Sequence, residues 1–97
     1  MELIVSEKIK DKLKNKHNVT IDEVFQCISN IEGQLIEDTA EEHRTTPPSF
    51  WFIAQTDYGR QLKVVLVPKD GKIFLKTAFD AKISHIQLYE DLNKKHP

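Results

Sequence analysis

Three apolar segments separated by two short turn sequences occupy residues 50–79, FWFIAQTDYGRQLKVVLVPKDGKIFLKTAF. Each segment is rich in the β-branched and aromatic residues that are typical of strands. The intervening residues 57–60 and 68–71 contain the glycines, aspartates and proline that favour tight turns. Because short turns join antiparallel neighbours, this part of the chain predicts a three-stranded antiparallel meander.

The turns also predict a strand register. A two-residue turn between Asp57 and Arg60, followed by a four-residue loop between the second and third strands, places Lys63 directly opposite Lys76. Like charges that face each other across strands are mildly destabilising, so this pair indicates either plain solvent exposure or a bound anion. A slip of one residue would exchange the two faces of the sheet. The same register assigns these residues to the core: Trp51, Ile53, Leu62, Val64, Leu66, Ile73 and Leu75.

Two amphipathic helices are predicted before the meander. The first runs from a Ser6 cap to about Lys16, with an acidic first turn that suits the helix dipole. The second begins at a capping box formed by Thr20 and Glu23, and it should stop near residues 30–33. Its apolar residues recur at helical spacing: Ile21, Val24, Phe25, Ile28 and Ile31. Joined by a two-residue connection, the helices are expected to cover the apolar face of the meander.

Shorter elements complete the predicted fold. Residues 3–5 are expected to form an edge strand, residues 35–38 a short strand, and residues 81–93 a C-terminal helix capped by Asp80. Residues 39–49 are polar and contain two prolines, which predicts a loop. The sequence therefore predicts one α+β domain over residues 1–97. Two N-terminal helices pack on a small antiparallel meander sheet, and a C-terminal helix follows.

Composition restricts the functional classes. The chain has 97 residues, of which 39% are hydrophobic and 30% are charged, and it contains no apolar run near the roughly 18 residues that span a membrane. The single Cys27 has no internal disulfide partner and is expected to be a packed side chain, so a reducing cytoplasm is the expected location. The net charge of −1 conceals a basic segment at residues 6–17, an acidic segment at 18–43 and a basic remainder. Such a bipolar surface suits a polyanion at one face and another partner elsewhere.

The candidate chemistry is general acid–base catalysis beside cations, because neither a glycine-rich nucleotide loop nor a metal-ligand spacing is present and no cofactor is expected. Each candidate also has a structural interpretation. The first histidine can hydrogen-bond a helix-end carbonyl, residues 41–44 can be a solvated loop, and the turn arginine can pair with Asp57. The candidates are His17, His43, Arg60, Lys14, Arg44, Lys63, Lys76 and Tyr58.

Three short motifs carry a family resemblance. Residues 14–20, KNKHNVT, are similar to a basic-Lys-His-Gly-Val-Ser/Thr helix junction, and residues 56–65, TDYGRQLKVV, to a turn arginine followed by a valine-rich strand. Residues 70–73, DGKI, and Thr77-Ala78 match a strand that ends in Ser/Thr-Ala. With its order of elements, the chain resembles the BrnT-like toxins of the RelE/ParE superfamily.

The resemblance implies a cytoplasmic ribonuclease toxin that inhibits translation and is neutralised by a cognate antitoxin protein. Such enzymes cleave RNA, free or on the ribosome, without a metal. Here His17 or His43 would be the acid or base, and Arg60, Lys63 and Lys76 would hold the phosphate. Lys14, Arg44 and Tyr58 would add RNA contacts. Three departures are visible: Asn18 replaces the family's glycine, Phe79 stands where the family has an arginine, and the loop at residues 41–48 is not part of the family pattern.

Two other functional classes stay open. A non-catalytic binding module of the same fold would hold a protein partner, or a second copy of the chain, against the C-terminal helix or the 3–5 edge. The wide apolar arc at residues 83–92 and the absence of arginine at position 79 favour this alternative. A small-molecule enzyme acting through the His43 loop is the third hypothesis.

Overall fold

The computed structural model describes residues 2–39 and 46–94. Within these ranges the chain forms three helices and one sheet of five strands. The elements are β1 (Leu3–Ile4), α1 (Glu7–Lys12), which continues into a π-helical turn (Leu13–His17), α2 (Ile21–Ser29), β2 (Ile36–Glu37), β3 (Phe50–Gln55), β4 (Gln61–Lys69), β5 (Lys72–Asp80) and α3 (Ile83–Lys94).

The sheet is mixed, with the strand order β1-β5-β4-β3-β2. Its centre is the predicted meander of β3, β4 and β5, which is confirmed. The prediction of a purely antiparallel sheet was wrong at one edge, because β1 pairs parallel to β5 with Leu3 opposite Ile73. A parallel neighbour requires a long crossover, and the whole chain from α1 to β4 separates these two strands.

Each face of the sheet carries helices. Trp51 contacts Tyr89 of α3, with ring centroids 5.5 Å apart. Because side chains alternate along a strand, Phe52 points to the opposite face, where it is buried in the same core as Leu13 and Val24 of the N-terminal helices. The α+β class is thus confirmed, and β3 is buried on both faces, which explains its nearly continuous apolar sequence.

The β3–β4 register differs from the predicted one by one residue. Thr56 donates its N–H to the carbonyl of Arg60, so the loop contains three residues rather than two, and Gly59 takes a positive φ of 88° there. Three-residue hairpin loops with glycine in the left-handed region are common. As a consequence Lys63 lies opposite Ile53, and Trp51 lies on the opposite face from Leu62 and Val64, contrary to the prediction.

The β4–β5 register was also wrong. Asp70 and Gly71 form a two-residue turn with φ values of 53° and 76°, which brings Lys69 opposite Lys72. Two successive positive φ values define a type I′ turn, for which Asp-Gly is a preferred sequence. Further along, the pairing shifts between Val65 and Leu66, so that the β5 strand contains one extra residue.

The N-terminal helices follow their sequence signals closely. Ser6 accepts a hydrogen bond from the Ile9 N–H at 3.2 Å, and the capping box of Thr20 and Glu23 is complete. Asn18, at the junction between the helices, has a left-handed conformation with φ 53° and ψ 45°. Asparagine is one of the few non-glycine residues that tolerates this region. Asn18 can therefore hold the left-handed backbone that the helix junction requires.

Candidate functional site

The side chain of Arg60 joins three elements. Its Nε and Nη2 donate to the two carboxylate oxygens of Asp80, at 2.7 and 3.1 Å. Nη1 donates to Glu23 at 3.1 Å and to the carbonyl of Asn18 at 2.8 Å, and Nη2 also reaches the carbonyl of His17 at 3.2 Å. The expected pair with Asp57 was wrong, because the guanidinium turns toward the helix junction and the end of β5.

This network uses all five guanidinium N–H donors. The two carbonyls that Arg60 binds are the open ends of the π-helical turn, so the cation also caps that helix end. Arg60 lowers the pKa of Asp80. The pKa of Glu23 is lowered most by the hydrogen bond from the Thr20 N–H, and Arg60 lowers it further. Hydrogen bonds to both carboxylates raise the pKa of Arg60 above its ordinary value. The donors of Arg60 are therefore committed within the protein.

A second group of side chains surrounds Phe79 near the end of β5. The imidazole of His17 lies 5.6 Å from the Phe79 ring, measured between centroids, and the imidazole of His85 lies 6.2 Å from it. Lys63 is directly opposite Phe79 on β4. We call His17, Lys63, Phe79, Lys82 and His85 the Phe79 surface. The backbone thus brings together residues from the helix junction, two strands and the first turn of α3.

Both histidines of this surface have lowered pKa values. For His17 burial is the largest cause, followed by Lys16 and Lys12, while the Asp80 carboxylate acts in the opposite direction. For His85 the causes are burial, then Lys63 and Lys82. Because a neutral imidazole has one nitrogen with a free lone pair, a lowered pKa favours the form that can accept a proton at neutral pH.

Lys63 is half-buried beside Trp51. Its ammonium lies 4.5 Å from the centroid of the indole, which is a cation–π geometry. Burial lowers the pKa of Lys63, and Asp38 partly opposes that effect. This lysine is therefore held in place by an aromatic face on the same side of the sheet as Phe79.

The remaining predicted site residues lie apart from the Phe79 surface or outside the described ranges. Lys76 is at the irregularity of β5, beside a cavity lined by Ile9 and Pro47, and it does not face Lys63. Tyr58 is 98% exposed at the tip of the β3–β4 hairpin. Lys14 is exposed on the same π-helical turn as His17. His43 and Arg44 fall outside the residues that the structure describes.

His85 and Lys82 were not among the candidate residues predicted from the sequence. A signal did exist, because only two residues separate the end of β5 from the start of α3. So short a connection returns the first turn of a helix to the end of the preceding strand, where Phe79 and Asp80 lie. The contact between Phe79 and His17 could not be inferred from the sequence, since it depends on how the helix junction packs against β5.

Two further features lie outside the Phe79 surface. Cys27 is buried, lies 3.5 Å from the carbonyl of Ala54, and burial raises its pKa to about 11, which confirms the packed side chain that was expected. An open groove of about 770 Å³ lies between α3 and the β3–β4 hairpin, with Ile53, Gln61 and Tyr89 among its lining residues.

No protein-family model and no curated protein matches this chain. Among residues 2–39 and 46–94, no helix is both long and apolar enough to cross a membrane. In the same part of the chain, no three histidine, cysteine or acidic side chains are grouped as a metal ion would require.

Proposed function

We propose that this protein is the toxin of a toxin–antitoxin pair and acts in the cytoplasm as a metal-independent ribonuclease with a RelE/ParE-like fold. The observation that carries the proposal is the packing of His17 against Phe79, a residue that lies directly opposite Lys63 on the neighbouring strand. It combines a proton-transfer group with a cation near the end of one strand, which is what RNA cleavage through the 2′-hydroxyl requires.

In this proposal His17 accepts the proton of the 2′-hydroxyl while that oxygen forms a bond to phosphorus. The bond from phosphorus to the 5′ oxygen breaks, and the leaving oxygen takes a proton from the solvent. The products are a 2′,3′-cyclic phosphate and a 5′-hydroxyl end. Lys63 stabilises the additional negative charge on the phosphate, and Lys14 adds a more distant attraction for the RNA backbone.

Arg60 receives a different role from the one that the family resemblance implies. All of its donors are engaged by Asp80, Glu23 and the carbonyls of residues 17 and 18. We assign it as a positioning residue that holds the π-helical turn, and with it the imidazole of His17, beside β5. Its loss should therefore affect folding and the placement of His17 rather than remove a phosphate contact.

The proposal is tested by induced expression in a bacterial host. Wild-type protein should arrest growth, co-expression of the cognate antitoxin should relieve the arrest, and His17→Gln should express as folded protein without arrest. Lys72→Gln, at the exposed first residue of β5, is the matched control and should arrest growth like the wild type. Normal growth with soluble wild-type protein would contradict the proposal.

A non-catalytic binding module is the second candidate, and a particular observation favours it. Ile83 is 75% exposed and Leu88 is 50% exposed on α3. Apolar side chains at such exposure suit a protein partner or a second copy of the chain. This candidate expects a homodimer or a stable complex in light scattering, disrupted by Ile83→Lys. A monomer that is unaffected by this substitution would count against it.

A further inference from the structure

The position at which the BrnT-like family has an arginine carries Phe79 here, and its surroundings suit a nucleotide. The Phe79 ring is partly exposed and contacts two imidazoles. Lys63 and Lys82 are close enough to His85 to lower its pKa. An aromatic face bordered by cations matches the two parts of a nucleotide, because a base stacks on the ring and the phosphate pairs with the cations.

His85 is oriented by its own helix. Its Nδ1 accepts a hydrogen bond from the backbone N–H of Lys82 at 3.4 Å, at the start of α3. An imidazole nitrogen that accepts a hydrogen bond carries no proton, so the neutral ring bears its proton on Nε2. This assigns to His85 one N–H donor that is free of the helix and suited to a phosphate oxygen.

We propose that the Phe79 surface is a nucleotide subsite, in which Phe79 stacks one base of single-stranded RNA while His85 Nε2–H and Lys82 bind the adjacent phosphate. The choice of RNA rests on the proposed function. Single-stranded RNA is favoured over a duplex because bases within a helix are already stacked and cannot lie on a side chain. Phe79 would then supply the base-binding surface, and the lysines supply the charge.

The test uses a short single-stranded RNA in which every 2′-hydroxyl is methylated, so that it binds but cannot be cut. Affinity is measured by fluorescence anisotropy for the wild type, Phe79→Leu and Phe79→Tyr. Phe79→Leu should weaken binding about tenfold, because the variant loses the aromatic ring on which the base stacks. Phe79→Tyr keeps the ring and should bind like the wild type. Phe25→Leu, a matched change at an exposed phenylalanine of α2, should also have no effect.

Two further readouts separate binding from structure. Lys82→Gln should reduce the slope of log affinity against log salt by about 0.7, the value for one phosphate contact on a single strand. In nitrogen-15 NMR above pH 6.5, His85 should show a protonated Nε2 and an unprotonated Nδ1, and its Nε2 resonance should shift on addition of the RNA. Circular dichroism verifies that each variant is folded.

The binding measurements do not depend on cleavage, because the methylated RNA cannot be cut. Equal affinity of folded Phe79→Leu and wild type, or an unchanged salt slope in Lys82→Gln, would overturn the subsite. No binding by the wild type would overturn it as well. If the RNA binds through Phe79 but the wild type cleaves no unmodified RNA, the subsite stands and the ribonuclease proposal fails. If unmodified RNA is cleaved equally by wild type and Phe79→Leu, the ribonuclease stands and the subsite fails.

Discussion

Arg60 ends a hairpin loop, yet its side chain connects the helix junction with the last residue of β5. Nothing in the sequence indicates these partners, because Glu23 and Asp80 are distant along the chain and Asp57 is the obvious local acid. Asp57 instead accepts a hydrogen bond from Asn30 at 3.0 Å. Residue-level pairings that span separate elements depend on the tertiary fold, whereas local caps such as that of Thr20 were predictable from four consecutive residues.

Arg60→Lys should lower the free energy of unfolding by about 2 kcal/mol. A lysine keeps the charge but cannot hold two carboxylates and two carbonyls at once. Urea denaturation measures the difference, and Lys72→Gln should remain within about 0.5 kcal/mol of the wild type. Under conditions in which it is folded, Arg60→Lys should cleave RNA at a rate within about tenfold of the wild-type rate. Unchanged stability together with lost cleavage would indicate instead that Arg60 contacts the phosphate directly.

At the scale of elements, the existence and order of the helices and of the meander strands were predictable, since periodicity and turn residues mark each of them. The register of the strands was not predictable. A three-residue loop at residues 57–59 and a two-residue loop at residues 70–71 differ from the assumed lengths by one or two residues, and each error displaces every cross-strand pair. The Asp70-Gly71 pair did carry the type I′ signal. The irregularity between Val65 and Leu66 had no sequence signal.

The attachment of α3 depends on a close approach at Gly33. A Cβ at this position would collide with the Tyr89 hydroxyl and lie 2.8 Å from Asn93 Oδ1. The same two side chains bind the backbone of Gln34, since Tyr89 donates to its carbonyl and Asn93 accepts from its N–H, each at 2.8 Å. Glycine is therefore required by packing here, and its φ plays no part.

Gly33→Ala should destabilise the protein by about 2 kcal/mol through overpacking. Tyr89→Phe should cost about 1 kcal/mol, since it removes one hydrogen bond. The double variant should lose less than the sum of the two, because the missing hydroxyl is the group that the new methyl meets. Urea denaturation of all four proteins gives the coupling energy. Strict additivity, or no loss in Gly33→Ala, would contradict the packing described above.

At the scale of the whole molecule, stability should fall on acidification in two stages. Burial is the largest cause of the lowered pKa values of His17 and His85, so protonation below about pH 6.5 favours the unfolded state. The pKa values of Glu23 and Asp80 are lowered from 4.5 and 3.8, so their stabilising contribution is present above those values and is lost below them. Both stages therefore lower the free energy of unfolding as the pH falls.

Thermal unfolding between pH 8 and pH 3 measures this dependence. Asp80→Asn should reduce the stage caused by the carboxylates, where Glu23 remains, and His17→Gln should reduce the stage caused by the histidines, where His85 remains. Lys72→Gln should reproduce the wild-type profile. A melting temperature that rises as the pH falls from 7 to 5 would contradict the assignment for the histidines.

The proposal that His17 cleaves RNA without a metal ion is tested by incubating a labelled RNA with the protein in excess EDTA. The products should carry 2′,3′-cyclic phosphate and 5′-hydroxyl ends, and His17→Gln should lower the cleavage rate at least about 100-fold, the usual contribution of a positioned acid or base. Lys72→Gln should cleave at the wild-type rate. Intact RNA, both free and ribosome-bound, or equal rates for wild type and His17→Gln, would contradict the assignment of His17.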